Sequence, residues 1–195
     1  MFDRAKFFDE SLIESAETKQ NILKYCRGDV YKAIDLIRES IKAGGKIMFC
    51  GNGGSAADSQ HLATEFIIRL SHDIKRPAIG AIALTTDSSN LTAGANDIGY
   101  ENVFARNVEG LGKPGDVLVG ISTSGNSKNI IKAFEKAKGI GVKTLAFLGG
   151  TGGNMKGMAD VEVIIPSANT QRIQEGHITI GHIICESVER ELFGN

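Results

Sequence analysis

The stretch KIMFCGNGGSAAD at residues 46–58 joins a short apolar run to a glycine-rich turn, and it decides the fold class. Four further apolar runs follow, separated by amphipathic stretches: IGAIALT (79–85), DVLVGIS (116–122), KTLAFLG (143–149) and VEVIIP (161–166). Short apolar runs between amphipathic stretches are typical of strands buried on both faces of a parallel sheet. The sequence therefore predicts an α/β fold with a five-stranded parallel sheet.

Helices are predicted between and after these strands, at residues 55–70, 127–138 and 171–192. Upstream, residues 2–43 carry apolar side chains at helical spacing, and Gly28 is expected to divide this stretch into two helices. We expect a single domain over residues 1–195, with residues 1–43 as a helical N-terminal extension. Since open α/β sheets bind ligands beyond the carboxyl ends of their strands, the loops after the strands are expected to carry function.

The composition limits the class of protein. The chain is 42% hydrophobic, and its formal net charge of −1 argues against nucleic acid or an anionic membrane as the main partner. No apolar run approaches the ~20 residues of a membrane span, and the N-terminus lacks the apolar stretch of a signal peptide. Cys26, Cys50 and Cys185 are too few and too scattered for a disulfide framework or a cysteine-based zinc site. We therefore expect a cytoplasmic protein with reduced, mostly buried thiols.

The first loop, CGNGGSAAD at residues 50–58, is a candidate anion site. Its glycines allow a tight turn close to a ligand, and Ser55 can cap a helix whose N-terminal amides attract anions. A plain strand-to-helix turn explains the same residues equally well. The GxGxxA spacing from Gly51 imitates a dinucleotide fingerprint, but Asp73, at the distance of the acidic residue, falls before the next apolar run. The ATP-binding pattern GxxxxGK[ST] is absent from the sequence.

The second loop, ISTSGNS at residues 121–127, also leaves a strand and enters a predicted helix. Four hydroxyls surround its one glycine, and hydroxyls with free amides can satisfy phosphate oxygens without lysine or arginine. Turn and cap residues are the alternative. Because a cap needs only one hydroxyl, the loop favours phosphate binding.

Polar residues on two predicted helices are candidates for acid–base chemistry or metal binding. His61 and Glu65 are four residues apart and share a helix face, which suits two metal ligands or a base with its neighbour. Such a pair is also common on solvated helices. Gln174 and His182, eight residues apart, share a broad face of the last helix, whereas His177 is expected outside the site.

Five segments together resemble the phosphoheptose isomerase family of SIS (sugar isomerase) domain proteins: GNGGSAADSQHLATEF, ALTTDSS, ANDIGYENVF, STSGNSKNI and RIQEGHITIGHI. The resemblance implies a flavodoxin-like three-layer α/β/α sandwich, assembled as a homotetramer with active sites at subunit interfaces. It also implies the interconversion of sedoheptulose 7-phosphate and D-glycero-D-manno-heptose 7-phosphate for heptose nucleotides and surface polysaccharides.

The resemblance further assigns roles to individual residues. It implies phosphate binding by Ser122, Thr123, Ser124 and Ser127. It implies sugar contacts by Asn52, Gly53, Gly54, Ser55, Glu65, Arg69, Asn96, Asp97 and Gln174, although the composition around Asn96 and Asp97 alone indicates only a turn. One zinc ion per subunit would be held by His61, Glu65, Gln174 and His182. Glu65 and His182 would also be the catalytic pair.

Ketose–aldose isomerisation moves one proton between adjacent carbons and another between their oxygens. A carboxylate in a partly dry site can take the carbon proton, so Glu65 is the candidate base, and His182 can move the oxygen proton. Zinc would polarise the carbonyl and stabilise the enediolate, and the phosphate would be a remote handle for positioning.

Two other functions compete with the isomerase. A regulatory SIS protein without activity should lack Glu65 and His182, which are both present. Isomerases of arabinose 5-phosphate commonly carry regulatory domains, for which this chain has no room. Gln171 stands where some relatives carry an aspartate, and the NTQRIQEGH form is similar to isomerases of capsule or GDP-heptose synthesis. This difference leaves the downstream pathway open.

Overall fold

A computed structural model describes residues 1–194 and contains seven α-helices, two short 3-10 turns and five strands within them. The helices are α1 Arg4–Tyr25, α2 Arg27–Lys42, α3 Gly54–Ile67, α4 Ser88–Ile98, α5 Val103–Leu111, α6 Lys128–Gly139 and α7 Thr170–Phe193. The strands are β1 Ile47–Gly51, β2 Ala81–Ala83, β3 Val117–Ser122, β4 Lys143–Gly149 and β5 Val161–Ile165. The 3-10 turns are Tyr100–Asn102 and Gly153–Met155.

All five strands are parallel, in the order β2-β1-β3-β4-β5, and both faces of the sheet are covered. Ile47 and Phe49 of β1 join buried side chains of α2, α3 and α7 in one cluster. Met48 and Cys50, which point to the opposite face, join buried side chains of α5 and α6 in the other. The predicted three-layer α/β/α sandwich of flavodoxin-like strand order is therefore confirmed.

The region between β2 and β3 differs from the sequence prediction. It contains α4 and α5, which were not predicted. α4 has no buried residue, and its two large apolar side chains, Leu91 and Ile98, are only partly buried. The interpretation of Asn96 and Asp97 as a turn is wrong, because both lie in the last turn of α4. The chain changes direction at Gly99, whose φ of 81° favours glycine.

The N-terminal helices divide at Cys26 and not, as predicted, at Gly28, which lies within α2. The side chain of Cys26 is buried and its thiol donates a hydrogen bond to the carbonyl of Ile164, so this residue is anchored where the two helices meet. Ile34 and Ile37 of α2 belong to the core cluster on the sheet. This packing supports the single domain over residues 1–195, with 1–43 as its N-terminal helices, which stays a prediction.

Helix α1 exposes large apolar side chains. Only Thr18 and Ile22 of this helix are buried, whereas six large apolar side chains are each more than half exposed: Phe7, Phe8, Leu12, Ile13, Leu23 and Tyr25. None of the helices within residues 1–194 has both the length and the apolar character that crossing a membrane requires.

The predicted buried thiols are confirmed. Cys26, Cys50 and Cys185 are all free and buried. Burial raises the pKa of the Cys50 thiol to about 12.

Candidate active site

The two candidate anion loops lie side by side at the carboxyl edge of the sheet. β1 and β3 are neighbours, and Gly51 at the end of β1 is in register with Ile121 of β3. The first loop begins directly after Gly51 and the second after Ser122. This edge is where open α/β sheets bind their ligands.

Glycines shape the first loop. Gly53 has φ 57° and ψ −121°, a conformation that other residues rarely adopt. A Cβ on Gly54 would lie 2.4 Å from Nε2 of Gln174, so the Gln174 side chain rests against the loop backbone. The prediction that Ser55 caps α3 is wrong: Gly53 is the N-cap, and Ser55 is buried within the first turn because the glycines let the helix begin earlier. No side chain caps α3; the amides of Ser55 and Ala56 donate instead to the carbonyls of Asn52 and Gly53, at 3.1 and 3.0 Å.

The second loop is held by its own hydroxyls. Ser122 is buried, its Oγ lies 3.0 Å from Oγ of Ser127, and it accepts the N–H of Gly125 at 3.1 Å. Gly125 has φ 65°, and a Cβ there would lie 1.9 Å from the carbonyl oxygen of Gly152. Ser124 is exposed, and Ser127 makes no capping hydrogen bond to α6. Ser122 and Ser127 thus shape the loop. Oγ of Ser124 accepts the N–H of Asn126 at 3.2 Å, and its hydroxyl hydrogen and the first amides of α6 can donate to a ligand.

Three of the four predicted metal ligands come together between α3 and α7. Nε2 of His61 lies 3.1 Å from Oε1 of Glu65 and 2.9 Å from Nε2 of His182. Candidate ligand atoms of the three side chains all lie within 4.8 Å of one another. Leu62 follows His61 and Gly181 precedes His182, and these two neighbours pack against each other. A Cβ on Gly181 would lie 2.6 Å from Cδ2 of Leu62, so the glycine lets the two helices approach closely here.

This donor set fits a divalent metal. Two imidazole nitrogens and one carboxylate oxygen are ligands that zinc and related ions accept. Ligand atoms arranged tetrahedrally around zinc at its usual bond lengths lie about 3.3 Å apart. The measured separations of 2.9 and 3.1 Å are close to that spacing.

The remaining residues on these two helices have different surroundings. Gln174 lies eight residues before His182, about 12 Å along the axis of α7, and its role as a fourth ligand stays a prediction. Arg69 follows the end of α3 and is exposed. His177 faces the sheet, where its Nε2–H donates to the carbonyl of Leu148 at 2.9 Å, and burial lowers its pKa to about 4.

Asp58 was not predicted from the sequence. It lies on α3 one turn before His61, and its Oδ2 is buried without a hydrogen-bond partner among residues 1–194. Burial raises the pKa of this carboxyl, and the nearby His61 offsets part of the effect. An aspartate inside a helix carries no sequence signal that separates it from surface acids.

The site is open within one chain. The side chains of His61 and Glu65 are 48% and 19% exposed. Asn96 and Asp97 are exposed on α4, where Nδ2 of Asn96 donates to Oδ1 of Asp97 at 2.7 Å. Asn129 and Tyr100, which the sequence did not single out, both contact Asn52 of the first loop.

Known proteins that resemble this chain over most of its length have SIS domains or are phosphoheptose isomerases. The family model described as the SIS domain matches residues 12–149. The phosphoheptose isomerase of Pelodictyon phaeoclathratiforme is 50% identical over 194 residues, covering 97% of this chain and 92% of that protein. The solved phosphoheptose isomerase from Neisseria gonorrhoeae has a TM-score of 0.89 at 39% identity, covering 95% of this chain and 98% of that one. The enzyme from Francisella tularensis has a TM-score of 0.93 at 32% identity, with coverages of 97% and 100%.

Proposed function

The chain belongs to the phosphoheptose isomerase family of SIS-domain proteins, and from this premise we propose how its residues isomerise a heptose phosphate. It is an isomerase that interconverts sedoheptulose 7-phosphate and D-glycero-D-manno-heptose 7-phosphate in heptose biosynthesis. One observation carries the proposed mechanism. Two imidazoles and a carboxylate converge between helices whose neighbouring loops can hold an anion.

Glu65 is the base that moves the proton between the two reacting carbons through an enediol. Its side chain is mostly buried, which keeps water from competing for the carboxylate. Oε1 lies beside His61, so Oε2 is the oxygen available to the substrate.

His182 moves the proton between the two substrate oxygens, since an imidazole both donates and accepts protons near neutral pH. Its Nε2 is the atom that points at His61. Metal ligation and proton transfer therefore compete for the same nitrogen of His182. Because a metal displaces protons from its ligands, the proton release measured during metal titration of wild type and of His182→Ala tests whether His182 is a ligand.

His61, Glu65, Gln174 and His182 would hold a single zinc ion per subunit. When bound, the ion would supply Lewis-acid polarisation of the substrate carbonyl. The donor chemistry of the three converging side chains supports this assignment. An activity that falls on chelation and returns with zinc tests it.

The phosphate binds at the second loop, through Thr123, Ser124, Ser127 and the first amides of α6, with Ser122 shaping the loop from below. The uncapped end of α6 supports this site. The sugar hydroxyls meet a set of residues around it: Asn52, Gly53, Gly54, Ser55, Arg69, Asn96, Asp97 and Gln174. Holding the phosphate fixes the reacting carbons against Glu65.

The enzyme is a cytoplasmic homotetramer whose sites lie at subunit interfaces. The exposed apolar side chains of α1 support assembly, since large exposed apolar patches mark contact surfaces. The open position of His61, Asn96 and Asp97 supports a site that a second subunit completes. Three free thiols agree with a reducing compartment. Its product feeds capsule or lipopolysaccharide heptose.

The deciding experiment incubates the purified protein with sedoheptulose 7-phosphate and follows aldose formation by NMR, with light scattering on the same sample. The proton at the reacting carbon should exchange with deuterated solvent as the enediol forms. An enzyme that produces no aldose and exchanges no proton would refute the proposed chemistry. An active monomer would refute the shared site.

A further inference from the structure

Asn52, Asn129 and Tyr100 form a closed hydrogen-bond network beside the two loops. The amides of Asn52 and Asn129 pair reciprocally: Nδ2 of Asn52 donates to Oδ1 of Asn129 at 3.0 Å, and Nδ2 of Asn129 donates to Oδ1 of Asn52 at 2.8 Å. The hydroxyl of Tyr100 donates to the same Oδ1 of Asn52 at 3.0 Å. The network joins the first loop, the first turn of α6 and the segment after α4.

The network leaves Asn52 with one free donor. A carboxamide has two N–H donors and an oxygen with two lone pairs. Asn129 and Tyr100 occupy both lone pairs and Asn129 takes one hydrogen, so the second Nδ2 hydrogen has no acceptor within residues 1–194. If the Asn52 amide were flipped, its oxygen would face Oδ1 of Asn129 and its nitrogen would face Nδ2 of Asn129 and the hydroxyl of Tyr100. The flip would therefore require both partners to reorient as well.

Asn129 is suited to restrain the Asn52 amide because its own side chain is buried. It lies in the first turn of α6 and is 4% exposed. Asn52 is only half-buried, and its loop contains Gly53 and Gly54, so the loop by itself restrains the amide weakly. Tyr100 follows α4, three residues after Asp97, and so links Asn52 to the segment of the proposed sugar contacts.

We propose that Asn129 and Tyr100 are positioning residues that hold the Asn52 amide so that its free N–H meets a hydroxyl oxygen of the sugar. The inference rests on the proposed role of Asn52 as a sugar contact. Asn129 and Tyr100 need not touch the substrate themselves. Their effect is to remove the alternative orientation, in which Asn52 would present an acceptor.

A double-mutant cycle tests this. Kinetics with sedoheptulose 7-phosphate are measured for Asn52→Ala, Asn129→Ala and the double variant. We expect Asn52→Ala to lower kcat/KM about tenfold, mostly through KM, and Asn129→Ala to lower it by a similar factor, since each change removes one hydrogen bond to a sugar hydroxyl. The double variant should be no worse than Asn52→Ala alone, because Asn129 acts only through Asn52.

Two further variants separate positioning from general loosening. Tyr100→Phe removes one hydroxyl and should lower kcat/KM about threefold in wild type but not in Asn52→Ala. Lys132→Met is the matched control. Nζ of Lys132 bonds Glu101 and Asn102, so this change loosens the same contact of α6 without touching Asn52. It should leave kcat/KM within about twofold, and any loss should add to that of Asn52→Ala.

The outcomes distinguish this inference from the proposed function. The positioning role is overturned if the decreases in kcat/KM caused by Asn52→Ala and Asn129→Ala multiply in the double variant. It is also overturned if Asn52→Ala lowers kcat/KM and Asn129→Ala leaves it unchanged. A wild type without turnover refutes the isomerase mechanism instead. In that case the same cycle, read from the calorimetric affinity for sedoheptulose 7-phosphate, still decides the inference.

Discussion

Arg76 and Glu189 form a buried ion pair next to the backbone of Glu65, the proposed base. Nη2 of Arg76 lies 2.6 Å from Oε1 of Glu189, and the two side chains are 1% and 0% exposed. The same Nη2 donates to the backbone carbonyl of Glu65 at 2.8 Å. The Glu189 carboxylate also accepts the amides of Leu70 and Ser71. The pair therefore ties the end of α3, and the loop that follows it, to α7.

Replacing Glu189 by glutamine should strongly destabilise the fold. The change leaves the Arg76 guanidinium buried without its counter-charge, and breaking one side of a buried ion pair costs about 3–5 kcal/mol. Denaturant unfolding measures the loss. Glu186→Gln, on the same helix, is the matched control, because Glu186 pairs with Arg190 in solvent and should contribute little. Equal losses for the two variants would contradict the importance of the buried pair.

The Glu189 carboxyl should also make stability depend on acid pH. Burial acts to raise its pKa, but hydrogen bonds from the amides of Leu70 and Ser71 and from Arg76 outweigh burial, so its pKa lies below the ordinary value. Its contribution to the free energy of unfolding is therefore complete above the unfolded pKa of about 4.3 and is lost as pH falls towards the folded pKa. Below this pH, the free energy of unfolding of wild type should fall more steeply with decreasing pH than that of Glu189→Gln. Parallel pH profiles would refute the assignment.

Glu65→Gln should lower turnover by at least ~100-fold while substrate still binds. Glutamine keeps the size and most of the hydrogen bonding of the side chain, but it cannot accept the carbon proton. Steady-state kinetics give the turnover, and calorimetry gives the affinity for the substrate. Glu10→Gln on the exposed surface of α1 serves as the control. Near-normal turnover of Glu65→Gln would show that another group is the base.

Ser124→Ala should weaken substrate binding by about tenfold or more, since a hydrogen bond to a charged group contributes roughly 1.5–3 kcal/mol. Ser127→Ala should weaken it similarly, and should in addition lower the melting temperature, because Oγ of Ser127 also contacts Ser122. The measurement is the affinity for sedoheptulose 7-phosphate and for inorganic phosphate. Ser11→Ala on α1 is the control. If both loop variants bind phosphate as wild type does, the phosphate lies elsewhere.

Gly181→Ala should weaken metal binding. The added methyl would press on Leu62 and separate α3 from α7, and with them His61 from His182. Changes around metal ligands typically reduce affinity 10–100-fold, so about tenfold is expected in a zinc titration. Gly176→Ala is the matched control on the same helix, because a Cβ there would meet Ile165 and Ile22 instead. Equal zinc affinity in the two variants would contradict the link between this packing and the metal site.

The sequence was informative where local pattern determines structure. Runs such as KTLAFLG at 143–149 predicted their strands because burial on both faces requires continuous apolar residues. Helix α4 was missed because nothing in it is buried. The approach of His61 to His182 followed from a resemblance, since their meeting depends on packing between distant helices. The pairing of Asn52 with Asn129, 77 residues away, has no local signal at all.

The buried thiol of Cys50 can be used to measure how often the sheet opens. Only the thiolate attacks alkylating and disulfide reagents, and a thiol with a pKa of about 12 is almost wholly protonated at neutral pH. Cys50 also lies within β1, paired with Gly120 of β3, and its side chain is buried, so a reagent does not reach it in the closed sheet. Its labelling rate therefore reports how often the centre of the sheet comes apart. If substrate slows the labelling of Cys50, the decrease in rate measures substrate binding through a native residue of the core, without an added probe.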